Sequence, residues 1–241
     1  MKQKKVIIIG ASSGMGRELA KIMATNGYTV GIAAPQENLL TSLQQEISVK
    51  TYKSIIDVSN DNAQSKLLEL INEMNGVDIM IICAGIGDRN PALDFAIDKK
   101  TIDVNVTGFC RMVTASMHYF IQQNSGHLAV ISSIAGIRGN DAAPAYNASK
   151  AFISNYLQGL RKKIAREKLT ITVTDIKPGF VDTAMAHTYR KPFWMISAHR
   201  AAHYIFDGIE QKKKIVYVSP IWRIVAWALY IAPDWIYNKI D

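Results

Sequence analysis

Lys5-Val6-Ile7-Ile8-Ile9 runs directly into Gly10-Ala11-Ser12-Ser13-Gly14-Met15-Gly16, and Leu19, Ile22 and Met23 then recur at helical spacing until Asn26-Gly27. A β-branched run, a glycine-rich turn and an amphipathic segment read as strand, turn and helix. Bare backbone in such a turn lets a phosphorylated group approach, and the free amides at a helix N-terminus favour its charge. Gly10, Ser12, Ser13, Gly14, Met15 and Gly16 are therefore candidates for holding a pyrophosphate. Glycines alone also build ordinary tight turns, so the reading leans on the strand before them and the helix after.

The alternation continues along the chain. Strands are expected at 28–33, 51–56 and 77–83, and helices at 37–47 and 61–75. A long helical stretch follows from about Asp98 to Gln123, then a strand from His127 to Ser132, a helix from about Tyr146 to Glu167, and strands at 170–175 and 215–218. Short apolar strands alternating with helices imply an α/β fold, a doubly wound and mostly parallel sheet of seven strands. No linker or repeat divides the 241 residues, so one domain is expected over 1–241.

Hydrophobic residues make up 49% and charged residues 20%, which excludes disordered and collagen-like classes. The formal charge of +8 suits an anionic cofactor, a membrane surface or nucleic acid alike. Lysines and arginines are scattered apart from Lys212-Lys213-Lys214, and no nucleic-acid-binding motif is present, so no nucleic-acid partner is expected. Cys83 and Cys110 lie in apolar surroundings without metal-ligand spacing and read as reduced thiols of an intracellular, cytoplasmic protein. The apolar run after basic Met1 to Lys5 is too short for a signal-peptide core, so no secretion signal is expected.

Tyr146 and Lys150 stand four residues apart in Ala145-Tyr146-Asn147-Ala148-Ser149-Lys150. On a helix that interval points both side chains the same way. An ammonium beside a phenol favours phenolate and makes the tyrosine usable as an acid or base near neutral pH. Ser132 and Ser133 end the fifth strand upstream. Taken singly, each of these residues has an ordinary structural use as strand end, core ring or cap.

Taken jointly, the Gly-x-x-x-Gly-x-Gly turn, Asn105 in Asp103-Val104-Asn105-Val106-Thr107-Gly108, the serine pair and Tyr146 with Lys150 make the chain resemble the classical short-chain dehydrogenase/reductase family from Val6 to about Thr183. The resemblance implies a Rossmann-type fold and a nicotinamide-dependent oxidoreductase acting on a carbonyl or alcohol. It implies that Ser133, thirteen positions before Tyr146, polarises the substrate oxygen, that Tyr146 donates or accepts its proton, and that Lys150 binds the nicotinamide ribose and lowers the Tyr146 pKa. Asn105 matches the residue that holds a water in the proton relay. Asp57 and Val58 match the adenine site, and Ala84-Gly85 the segment after the fourth strand. Pro178, Gly179, Val181 and Thr183 match the segment that binds the carboxamide and closes on the cofactor. A homodimer or homotetramer built on the helices around 103–123 and 146–167 is also implied.

The chain departs from the family pattern twice. Cys83 stands where the family usually has asparagine before Ala84-Gly85, which removes side-chain hydrogen bonds expected to stabilise the sheet. Ala33-Ala34-Pro35-Gln36 carries no acid to bind ribose hydroxyls and repel a 2′-phosphate, and no arginine to attract one, leaving Arg17 and the backbone to meet a phosphate. With a basic chain, this tilts the cofactor expectation to NADP, with NAD as the alternative.

His199 and His203 are four apart on an expected helix, but no third ligand lies at motif spacing, so no metal is expected. The stretch 184–212 stands at the family position of a substrate lid, and its Met185, Tyr189, Phe193, Trp194 and Met195 suit an apolar substrate or ordinary packing equally. Within the apolar extension 220–241, Ile221 to Ile231 is too short to span a bilayer. This segment, 220–232, reads as a peripheral membrane contact beside Lys212 to Lys214, a pocket cover or a subunit contact. Two other functions fit the same fold: a nucleotide-binding sensor without turnover, and a membrane-surface scaffold.

Overall fold

The structure, a computed structural model, describes residues 3–183 and 194–239. The first half runs β1 (Lys5–Ile9), α1 (Gly14–Thr25), β2 (Thr29–Ala34), α2 (Glu37–Glu46), β3 (Thr51–Ile55), α3 (Ala63–Glu73) and β4 (Ile79–Ile82). Then follow α4 (Phe95–Ile102), α5 (Phe109–Gln122), β5 (Gly126–Ile131), α6 (Pro144–Arg166) and β6 (Ile171–Pro178). A short parallel pair, β7 (Val181–Asp182) with β8 (Ile196–Ser197), leads to α7 (Ala198–Glu210), β9 (Ile215–Val218), α8 (Ile221–Ile231) and α9 (Asp234–Tyr237).

One seven-stranded parallel sheet has the order β3-β2-β1-β4-β5-β6-β9. Both faces are covered, which is why the central strands β1, β2 and β4 read as near-continuous apolar runs. In β1 the strand period sends Val6 and Ile8 into a layer with α1, α2 and α7, and Ile7 and Ile9 into a layer with α3, α5 and α6. The winding direction reverses between β1 and β4, and the crevice beyond the strand ends at such a point is where ligands of this architecture bind.

Four details differ from the sequence expectation. The helical stretch begins at Phe95, and residues 103–108 form a π-helical turn between α4 and α5. Such turns insert a local widening, and Asn105 sits within this one. Second, β6 runs on to Pro178 because β9 pairs along it, Lys177 with Tyr217 and Pro178 with Val218. Third, the end of β4 is closed by backbone: the Cys83 and Ala84 amides donate to the Ile9 carbonyl at 2.7 and 3.0 Å, so the sheet is tied there without an asparagine side chain. Fourth, Lys212 to Lys214 do not sit beside α8. They precede β9 at the N-terminal edge of the sheet, where the Asp175 amide donates to the Lys214 carbonyl, whereas α8 follows β9 at the opposite edge.

Candidate active site

The glycine turn is shaped by contacts that exclude side chains. Gly10 has φ of +89°, and a Cβ there would lie 2.5 Å from the Ala84 nitrogen; one on Gly16 would lie 2.1 Å from the Gly10 carbonyl oxygen. Gly10 and Ala11 amides both donate to the Ala33 carbonyl, which ties the turn to β2. Ser13 is the exposed N-cap of α1 and makes no side-chain capping bond, Ser12 and Met15 are half-buried, and the first turn of α1 carries no acidic residue. A helix N-terminus without its own acid is a ready anion site. Thr183 reaches this turn, its Cγ2 lying 3.1 Å from a Cβ built on Gly14.

Lys150 is buried, and its Nζ donates to the Ile131 carbonyl at 3.1 Å. A Cβ added to Gly85 would be 3.3 Å from both Lys150 Nζ and Asn105 Oδ1, so these three residues converge. Burial lowers the Lys150 ammonium to about 8, against the opposing pull of Cys83 and Asp175. Burial likewise pushes the Cys83 thiol up to about 12, with Lys150 acting against it. Both cysteines are free thiols and half-buried. Lys150 Nζ lies 5.7 Å from the centroid of the half-buried Tyr146 ring.

Asn105 is almost fully buried and clamps the loop after β4 in both directions: its Oδ1 accepts from the Ile86 amide at 2.9 Å and its Nδ2 donates to the Ile86 carbonyl at 2.7 Å. Nδ2 also donates to Ser149 Oγ at 3.0 Å. This is the side-chain work of Asn105 that the structure displays.

The two serines at the end of β5 have different surroundings. Ser132 Oγ is buried against the Asp175 carboxylate and 3.0 Å from the Ile176 carbonyl, and Asp175 in turn meets Lys177 at 3.0 Å. Ser133 Oγ accepts from the Ala135 amide at 3.0 Å and lies 3.4 Å from the Pro178 carbonyl. The 3-10 turn after it, 134–136, packs on α6 so closely that a Cβ on Gly136 would be 2.6 Å from the Lys150 carbonyl carbon. Asn147 Nδ2 fastens this loop to α6 through the Ala135 and Arg138 carbonyls at 2.8 and 2.9 Å. Gly136 and Asn147 escaped the sequence reading because only the packed helix shows what they touch.

Among the remaining candidates, Asp57 Oδ1 accepts from the Ser59 amide and hydroxyl at 2.9 and 2.6 Å, and buried Val58 packs against the helix at Gly108. Val181 is buried. Gly179 carries the Trp222 ring of α8, a Cβ there falling 2.0 Å from it. The Trp222 indole nitrogen is buried and has no hydrogen-bond partner among the described residues. Phe180 and Trp194 pack edge-on around it at 5.5 and 6.2 Å, an aromatic group that spacing along the chain did not reveal. Met185, Tyr189 and Phe193 lie outside the described residues.

Arg17 is engaged by α2: it bonds the Leu39 carbonyl at 3.1 Å, Ser42 at 3.2 Å and Glu46 at 2.5 Å. His199 and His203 approach at 3.2 Å between their Nε2 atoms, and Glu18 meets His199 Nδ1 at 3.0 Å. The described residues hold no group of three or more side chains that could take a metal ion. A cleft of about 450 Å³ opens between loop 136–141 and the first turns of α6, but Ser133, Tyr146 and Lys150 do not line it.

Residues 4–193 match the family described as short chain dehydrogenase. The chain belongs to the short-chain dehydrogenase/reductase family. This family member is 32% identical over 216 residues to an uncharacterized oxidoreductase of Myxococcus xanthus, covering 87% of this chain and 85% of that one. It is also 32% identical over 193 residues to an uncharacterized oxidoreductase of Staphylococcus aureus, covering 78% and 83%. A Burkholderia phymatum short chain dehydrogenase/reductase, solved in complex with NAD, superposes with a TM-score of 0.84 at 20% identity over 93% of this chain and 92% of that one, a likeness of fold. ElxO, solved with NADP bound, superposes at 0.79 and 16% identity over 90% and 97%.

Proposed function

We propose that this oxidoreductase interconverts a secondary alcohol and a ketone with NADP(H), or alternatively NAD(H), using Tyr146 as the proton donor and acceptor. The observation that carries the reading is the buried Lys150 ammonium, held by the Ile131 carbonyl and flanked by Tyr146, Asn105 and Gly85 at the C-terminal edge of the sheet. The glycine turn fits a dinucleotide, since its contacts leave no room for side chains and α1 offers uncapped amides.

The nicotinamide, when bound, gives or takes hydride at the carbon of the substrate carbonyl or alcohol. Gly10 to Gly16 would hold the pyrophosphate, Asp57 and Val58 would take the adenine, and Ala84, Gly85, Pro178, Gly179, Val181 and Thr183 would take the nicotinamide half. In reduction the Tyr146 hydroxyl gives its proton to the substrate oxygen, and in oxidation the Tyr146 phenolate takes it back. Lys150 holds the ribose and stabilises the phenolate by its charge. Ser133 donates to the substrate oxygen and so favours charge developing there. Asn105 orders the loop at Ile86 and places a water for the proton relay.

The absence of an acid at the end of β2 leaves a 2′-phosphate unopposed and supports NADP, while the commitment of Arg17 to α2 withholds the nearest cation and keeps NAD in view. Phe180 and Trp194, about half exposed beside Trp222, support a hydrophobic substrate and the assignment of 184–212 as its lid. Association through α5 and α6 is supported by Phe152, which is partly exposed and packs against Phe109 and Tyr156.

Tyr146→Phe is expected to lower turnover by at least about a thousandfold, because it deletes the proton in flight, while nucleotide titration stays near wild type. Full activity in that variant overturns the role of Tyr146. A wild-type protein that binds nucleotide but oxidises none across a panel of carbonyl compounds is instead a sensor.

A further inference from the structure

The outer side of α8 is apolar and bare. Ile224, Trp227, Ala228 and Ile231, at positions i, i+3, i+4 and i+7, line one stripe, and all are exposed, with Trp227 at 65% and Ile224 at 64%. Tyr230, at 78%, flanks it, and Trp235 of α9, at 67%, follows. No helix among the described residues is long and apolar enough to cross a membrane.

The stripe cannot turn inward, because the opposite side of α8 is already used. Trp222 and Ala226 pack with Ile134 against the loop after β5. Arg138 locks the far end through the Leu229 carbonyl at 3.1 Å, the Ala232 carbonyl and the Asp234 carboxylate at 2.6 Å, and the Tyr237 hydroxyl donates to the Gly139 carbonyl at 2.5 Å. The face is thus presented rigidly on the sheet edge that carries Ser133 and Gly179.

We propose that this face of α8 and α9 seats in the interface of an anionic lipid bilayer. Tryptophan and tyrosine place apolar bodies among acyl chains and polar tips among headgroups. Among the described residues of this segment the charges left over have the matching sign: Arg223 is exposed, Lys239 lies 6.0 Å from the Trp235 ring, and the acid Asp234 is paired with Arg138 at 2.6 Å. Lys212 to Lys214, on the other sheet edge, take no part.

Full-length protein is tested against vesicles of mixed phosphatidylglycerol and phosphatidylcholine and against phosphatidylcholine alone, by co-sedimentation and tryptophan emission; neither readout needs turnover. Binding to the anionic vesicles with a shift of emission to shorter wavelength is expected. Ile224→Ser, Trp227→Ser and Trp235→Ser combined should weaken partitioning at least about tenfold, with the thermal melt and nucleotide titration unchanged, and Trp227→Ser alone about threefold. Arg223→Glu should weaken binding to anionic vesicles and leave the neutral ones unaffected. Wild-type protein that stays in the supernatant with both vesicles, or variants that partition like wild type, overturns the proposal. So does a wild-type dimer that the triple variant dissociates without any vesicle binding.

Discussion

Lys150 and His127 are buried bases at opposite edges of one sheet, and the same desolvation acts on both. It lowers Lys150 to about 8, and it lowers His127 to about 4 with help from Lys212 and Lys4. At the N-terminal edge, His127 Nε2 meets Thr174 Oγ1 at 2.8 Å, and the Thr174 hydroxyl in turn donates to the Lys213 carbonyl at 2.6 Å, so the ring ends in a closed structural network. At the C-terminal edge, Lys150 borders bare glycine backbone, a tyrosine and the mouth of the crevice. Burial alone therefore makes a perturbed group; glycine-lined access beside it makes a candidate site.

Replacing Lys150 by Met tests that contrast most severely. Turnover should fall by about a thousandfold, since the charge that favours Tyr146 phenolate is gone. Stability should move the other way, by about 1–3 kcal/mol at pH 7. Below pH 8 the native protein carries the full cost of a buried ammonium. Between pH 8 and 10.5 the native state sheds its proton while the unfolded chain still holds one, so wild-type stability rises with pH. Urea unfolding of both proteins should show the gap widest at neutral pH and closed near pH 10.5. A variant less stable than wild type at pH 7 contradicts the buried-charge account.

The adjacent serines divide along the same line. Ser133→Ala is expected to reduce turnover about a hundredfold with a loss of about 0.5–1 kcal/mol from the Ala135 bond. Ser132→Ala should cost about 1–3 kcal/mol, because it leaves the buried Asp175 carboxylate short of a donor, with a smaller effect on turnover. Steady-state kinetics with chemical unfolding on both proteins reads the exchange, and reversed profiles would reassign the reacting serine.

The smallest effect belongs to His127→Phe. The histidine ordinarily titrates near 6.5 and folded near 4, so the unfolded chain gains its proton first as pH falls, and stability contributed above pH 6.5 is lost on the way to 4. The variant should lose about 1–2 kcal/mol less than wild type between pH 7.5 and 4.5 in urea titrations, with activity retained. An unchanged pH slope would show that His127 is not the group responsible.

Much of this was readable before any coordinate. Strand and helix periods report burial directly, so the β1, turn, α1 unit and the seven-strand sheet follow from local pattern. Tyr146 and Lys150 share a helix face by spacing alone. Contacts between distant segments carry no such local signature. The sequence could not show that Asn105 grips Ile86, that Arg17 turns to α2, or that Gly179 is bare because Trp222 lies on it. Nor could it place Lys212 to Lys214 away from α8, since neighbours in the chain are separated whenever a parallel strand runs between them from one sheet edge to the other. Periodicity sets which side of an element is apolar, whereas long-range packing sets what that side meets.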